Sequence, residues 1–186
     1  MKTNLKNGLI LGAMALVALV LKKFYQTAEV PDLHWILAPT QAAVHSFTGL
    51  QFSYDASQGY INQAHQFVIA KSCAGVNFLI IAFCTSVFGF TPKIKGSHWQ
   101  WLSLPVFLVI AYLLTVAVNA FRIVNALLLK GTYAAILPAN RLHAIEGAIV
   151  YLAFLLMYYL LLHYCFTVYK NKQSPTPSDL PNNVTL

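Results

Sequence analysis

Four long apolar stretches separated by short polar or basic segments organise the chain. The first, residues 8–21, follows Lys2 and Lys6 and is closed at once by Lys22 and Lys23. A basic start before a short apolar stretch also fits a cleavable signal peptide. Two lysines directly after the stretch, and Gln26-Thr27-Ala28 where a small-residue cleavage site belongs, favour an uncleaved anchor over residues 1–25. Counting on to Phe24 and Tyr25 gives about 18 residues, enough to span a bilayer with an aromatic edge. A second span is predicted at 74–90, followed by a polar loop at 91–96. Trp99 and Trp101 mark the interface where a third begins, apolar to residue 129. As a helix that stretch measures about 43 Å against a hydrocarbon core of about 30 Å, so its end must tilt, bend or emerge. Gly131 and Pro138 interrupt the chain beyond it, and a fourth span is predicted at 144–166. Residues 169–186, with Pro, Ser, Asn and Lys, read as a disordered cytoplasmic tail.

Between the first two spans lies the longest segment without a spanning run, 26–72. Residues 33–50 read as a helix broken at Pro39 and lying in the membrane interface. Residues 51–70 alternate loosely around Ser57-Gln58-Gly59, a turn signal consistent with a short hairpin. The expected fold is therefore an all-α integral membrane protein. It has about four transmembrane helices and a large extracytoplasmic segment with an interfacial helix and a short hairpin.

Composition sharpens this. Of 186 residues, 58% are apolar and only 9% charged, against about 25% charged in a soluble domain. An ordinary soluble globule and a disordered chain are both excluded. The net charge of +7 comes from 12 Lys and Arg spread thinly between apolar runs, with no basic cluster to track phosphates, so nucleic acid is not an expected partner. Membrane lipids are. Three Cys without paired spacing indicate neither a disulfide framework nor a structural zinc site. His143 and His163 stand about 30 Å apart on one helix and cannot share a haem. His34, His45 and His65 lack metal-ligand spacing, so no metal or cofactor is expected. Lysines and arginines divide evenly between the two sides of the membrane; the short 91–98 loop tips the balance toward cytoplasmic termini.

Ionisable and reactive residues in or beside spans tend to mark function. Cys73 opens the second span, about 26 Å from its far end. Arg122 lies about 32 Å up the third helix, and His143 opens the fourth, about 33 Å from Cys165. All three reach the interface served by 26–72, whichever way the protein is inserted. Thiol, imidazole and guanidinium together suit covalent acyl transfer. A thiolate is the nucleophile, His moves a proton near neutral pH, and the planar Arg fork holds a developing oxyanion. Each residue also has a plainer role: Cys73 as a small apolar filler, Arg122 as a snorkelling side chain, His143 as an interfacial or capping residue. Against these, the helix N-terminus favours a thiolate at Cys73, Asn119 and Asn125 share a face with Arg122, and Glu146 stands three residues after His143 where it can orient the ring.

Cys73-Ala74-Gly75-Val76-Asn77 at the head of a span resembles the nucleophile motif of exosortases and archaeosortases. Asn119-Ala120-Phe121-Arg122-Ile123 resembles their Arg motif, and His143-x-x-x-Gly147 their His motif. The resemblance covers about residues 70–155; many members have more spans, so it points to a compact type such as exosortase K. It implies a membrane cysteine protease and transpeptidase of the bacterial inner membrane, with its site at the extracytoplasmic face. Such an enzyme cuts exported proteins at a C-terminal sorting signal, a Pro-containing motif with a spanning helix and a basic tail. It then passes the acyl group from a Cys thioester to an acceptor that the sequence does not identify. In this chain Cys73 would be the nucleophile, His143 the general acid/base and Arg122 the oxyanion or thiolate stabiliser, with Asn77, Asn119 and Glu146 in support. The implied organisation is an anchor at 1–25, an extracytoplasmic segment at 26–72 and a catalytic helical core at 73–168. From a different class, a non-catalytic assembly or scaffold subunit would use Arg122 and His143 to bind lipid phosphate or a partner helix.

Overall fold

The computed structural model describes the backbone of residues 2–129 and 139–172, and the side chains of 6–128 and 147–171. Within these ranges five α-helices follow one another: α1 (Lys2–Thr27), α2 (His34–Thr48), α3 (Val76–Phe90), α4 (Ser97–Leu129) and α5 (Ala139–Lys172). A small sheet separates α2 from α3: β1 (Ser53–Asp55), β2 (Gly59–Asn62) and β3 (Phe67–Ile69). Segments at Lys6–Thr27, Lys71–Lys93, Ser97–Leu128 and Gly147–Asn171 are long and apolar enough to cross a membrane. The protein is an all-α integral membrane protein with a minor sheet. Helix α5 begins earlier than the sequence pattern suggested and runs through Lys172, so part of the expected tail is helical; residues 173–186 lie outside the described residues.

Helix α3 is the axis of the bundle. Most of its span is buried within the protein, whereas α1 and α5 leave nearly all of theirs facing outward. Apolar side chains on nearly every face suit a helix packed all round: Phe78, Ala82, Phe83, Val87 and Phe90 of α3 join Phe107 and Ala111 of α4. With hydrocarbon outside as well as inside, packing and polar contacts set helix pairing. The Ser86 and Tyr158 hydroxyls lie 2.7 Å apart between α3 and α5, and the Thr91 and Ser103 hydroxyls 3.1 Å apart between the end of α3 and α4.

The 26–72 segment caps one end of this bundle. Its helix differs from expectation, for α2 continues unbroken through Pro39. Proline cannot donate to the carbonyl four residues back, which here is that of Trp35. The Tyr112 hydroxyl on α4 donates to that carbonyl at 2.9 Å, and the Trp35 and Tyr112 rings stack at 5.7 Å. A partner for the orphaned oxygen comes from the neighbouring helix, so the proline is accommodated. Tyr112→Phe keeps the ring and removes the donor. It is expected to cost on the order of 1 kcal/mol, read as a lowered unfolding midpoint in detergent.

The expected short hairpin is a three-stranded antiparallel meander, ordered β1-β2-β3. Its first turn is the one legible in the sequence. Asp55 accepts hydrogen bonds from the Ser57 hydroxyl and from the Ser57 and Gln58 amides; these bonds hold its carboxyl below the usual range. Gly59 then takes φ +111, where a Cβ would press on the carbonyl of Ile69. The second turn carries no Gly or Pro. There the Asn62 carboxamide accepts from the His65 amide at 2.8 Å, and Gln66 adopts φ 46. The sheet lays Tyr60 and Ile69 into one core with Leu33, Ile36, Leu37 and Val44 of the α2 region and with Cys73, Ala74, Ala120 and Ile123 of the bundle.

Candidate active site

Cys73 does not occupy the first turn of a helix, as the sequence suggested. It closes a 3₁₀ turn over Lys71–Cys73, with the Cys73 amide donating to Ala70 O at 2.8 Å and the Ala74 amide to Lys71 O at 3.0 Å. The chain then passes through Gly75 in the left-handed conformation, φ 65, before α3 starts at Val76. Left-handed backbone favours glycine, and space demands it too: a Cβ at Gly75 would stand 2.9 Å from Asn119 Cγ and closer still to its amide atoms. The Cys73 thiol is therefore carried on a tight bend, buried, three residues ahead of the first helical residue.

Lys71 fixes this bend to α1. Its ammonium donates to the Ala28 carbonyl at 2.6 Å, where a cation complements the carbonyl end of a helix. The Tyr25 hydroxyl in turn donates to Lys71 O at 3.3 Å.

On α4, one turn apart, Asn119 and Arg122 face the same bend and are both buried. Tyr151 of α5 joins them. Its hydroxyl donates to Asn119 Oδ1 at 2.7 Å and accepts from Arg122 Nη1 at 2.9 Å. Arg122 Nη2 reaches Ser72 O at 3.5 Å, the residue before the cysteine. Gly147 of α5 makes room for the guanidinium, since a Cβ there would lie 3.2 Å from Arg122 Nη1. The glycine of the His143-x-x-x-Gly147 pattern thus has a steric reason. Among the described residues no carboxylate pairs with Arg122, and its Nε and the Asn119 Nδ2 have no hydrogen-bond partner. Tyr25 and Tyr151 line one cleft with Ser72 and Gly75, and Tyr151 bonds to Asn119 and Arg122, which gathers α1, the turn before α3, α4 and α5 around one point.

A cleft of about 260 Å³ opens beside this point between α1, α3 and α5, lined by Tyr25, Ser72, Asn77, Ile81, Tyr151 and Leu155 among others. Asn77 stands on its rim rather than in the Asn119–Tyr151–Arg122 network, its Oδ1 accepting from Lys22 Nζ at 2.8 Å. Cys73, Asn119 and Arg122 are thus brought together. His143 lies one helical turn before Gly147 on the backbone of α5 and Glu146 immediately precedes it; the side chains of both lie outside the described residues. Cys84 is only partly buried, midway along α3, and Cys165 is exposed on the far part of α5. Among the described residues no three His, Cys, Asp or Glu converge as metal ligands. The sequence reading missed Tyr151 and Tyr25, and took Lys71 only as a polar neighbour of Cys73. Tyr151 carried a signal, its position four residues after Gly147 on the same helix face, which the general enrichment of aromatics at membrane boundaries obscured.

Residues 6–160 match the family model described as transmembrane exosortase. The chain belongs to the transmembrane exosortase family. No curated protein and no solved structure matches it. Family membership carries a membrane transpeptidase-type function. The match is wider than the 70–155 region of motif resemblance: in this exosortase it takes in most of α1, the whole cap, and α5 past Tyr151.

Proposed function

We propose that this exosortase is a cysteine transpeptidase that cleaves a C-terminal sorting signal on exported proteins and transfers the new acyl end to an acceptor. The Cys73 thiolate attacks the scissile carbonyl, Arg122 stabilises the oxyanion, and His143 protonates the departing amine as the C–N bond breaks. The acyl group is left as a thioester on Cys73. An acceptor nucleophile, deprotonated by His143, then attacks that thioester and releases the thiolate. One observation carries the reading: a buried guanidinium, unmatched by any carboxylate among the described residues, touches the backbone of the residue preceding a buried cysteine. A buried positive charge without a paired anion is costly, and its use here is to meet negative charge that develops on sulfur and on the acyl oxygen.

The cleft supports the substrate side of the proposal. It begins at Tyr25, Ser72 and Tyr151 and reaches Ile81 on α3, so a chain held in it would lie beside the bend that carries the buried thiol, with its apolar part against α3. The site would face the extracytoplasmic side of the bacterial inner membrane, with the cap packed over it. Asn119 would hold the bend through Gly75, and Asn77 with Lys22 would border the path of the substrate. The test is to trap the thioester. Purified protein incubated with a sorting-signal substrate and no acceptor is expected to carry an acyl adduct on Cys73, found by mass spectrometry and discharged by hydroxylamine. Adducts on Cys84 or Cys165 instead, or cleavage with no adduct at all, overturn the proposal.

A further inference from the structure

We infer that Tyr151 is a positioning residue that fixes the Arg122 guanidinium against the Cys73 bend. The inference rests on the transpeptidase reading for its catalytic meaning, and on geometry alone for the coupling.

Donor and acceptor counting comes first. A tyrosine hydroxyl has one proton, and a guanidinium only donates. Because Arg122 Nη1 donates to the Tyr151 oxygen at 2.9 Å, the hydroxyl proton must go elsewhere. It goes to Asn119 Oδ1 at 2.7 Å. That bond also fixes which way the Asn119 amide lies: Oδ1 toward Tyr151, and Nδ2 among the atoms packed on Gly75. One hydroxyl therefore sets both the rotation of the guanidinium and the side chain that holds the left-handed bend after Cys73. The ring is itself immobilised, stacked on Phe78 of α3 at 4.9 Å, and the Arg122 guanidinium carbon lies 5.1 Å from the ring centre. Nη1 donates to Tyr151 and Nη2 reaches Ser72 O, while Nε is a buried nitrogen with no hydrogen-bond partner among the described residues. An unsatisfied buried donor is expensive, and an acyl oxygen that reached it would relieve that cost. Without the hydroxyl, Nη1 loses its partner and the fork is free to rotate, so that no single N–H is held toward the reacting carbonyl.

Tyr151→Phe isolates the hydroxyl while keeping the stacked ring. In a background carrying Cys84→Ala and Cys165→Ala, Cys73 is the only thiol. There Tyr151→Phe is expected to lower kcat for signal cleavage by about 10- to 100-fold, less than the loss of an oxyanion donor itself, with KM unchanged. Its pH profile for alkylation of Cys73 by a small permeant thiol reagent is expected to move toward that of Arg122→Ala. Since the tyrosine acts through the arginine, Tyr151→Phe added to Arg122→Ala is expected to change the alkylation profile no further. Equal shifts in both backgrounds, or a wild-type kcat and profile for Tyr151→Phe, overturn the inference. The alkylation profiles do not depend on turnover. If the thioester test fails while the two variants still prove non-additive on the thiol, the transpeptidase reading falls and the positioning role stands.

Discussion

Cys73→Ala is expected to reduce cleavage of an exported substrate by at least about four orders of magnitude, the scale seen when a covalent nucleophile is removed, while the protein still inserts and accumulates. The side chain is small and buried, so alanine deletes the sulfur with little change in packing. Gly75 and the 3₁₀ turn that shape the bend are untouched. Cys84→Ala and Cys165→Ala are expected to leave cleavage within about twofold, for neither approaches the Arg122 network. Immunoblotting of precursor and product in cells expressing each variant reads the result. Full processing by Cys73→Ala would remove the enzyme reading and leave the lipid- or helix-binding scaffold in its place.

The second large effect is expected at Arg122, and its sign on stability is opposite to its sign on activity. Removing an oxyanion donor costs about 10²- to 10³-fold in kcat, and Arg122→Ala is expected to fall in that range at saturating substrate. Arg122→Lys keeps the charge but loses the planar fork that meets Tyr151 and Ser72 together, so it is expected to rescue only a small part. A residue retained for structure would destabilise the fold when removed. Here the guanidinium is a buried charge with neutral partners among the described residues, a hydroxyl and a carbonyl, so its desolvation is only partly offset. Thermal unfolding of Arg122→Ala in detergent is therefore expected at or above the wild-type midpoint. An inactive variant that also unfolds several degrees lower would mark Arg122 as a structural residue.

The spans were legible because hydrocarbon length is a strict ruler: a run of about 20 apolar residues has few other uses. Cys73 and Arg122 could be singled out as candidates because depth follows from counting along a helix; in the structure Arg122 Nη2 lies 3.5 Å from Ser72 O. What the sequence hid depends on contacts between distant elements. The carbonyl that Pro39 orphans, that of Trp35, is met by a hydroxyl 77 residues further along the chain, which no local pattern encodes. The third strand is three residues long after a turn without Gly or Pro, too short for alternation to register. Cys73 stands off the helix because Gly75 is left-handed, and a glycine two residues after the cysteine reads equally as the first turn of α3. Tyr151 was one tyrosine among 10, and only its bonds to Asn119 and Arg122 distinguish it.

The stripe of α3 left open between its neighbours has a consequence for how a substrate competes. Ile81 and Phe88, on a helix mostly packed against its neighbours, face outward, and small hollows flank them beside Tyr25 and Leu155 at one end and beside Leu11 and Pro92 at the other. In a bilayer such hollows fill with acyl tails, because a dry void forfeits dispersion contacts. A peptide arriving there trades places with a lipid of equal oiliness, so hydrophobicity as such gives it no advantage. Selection falls instead on fit, on side chains that interlock with those two protrusions better than a fluid chain can. Bulky-tailed detergents should accordingly act as rivals of the substrate rather than as inert solvent.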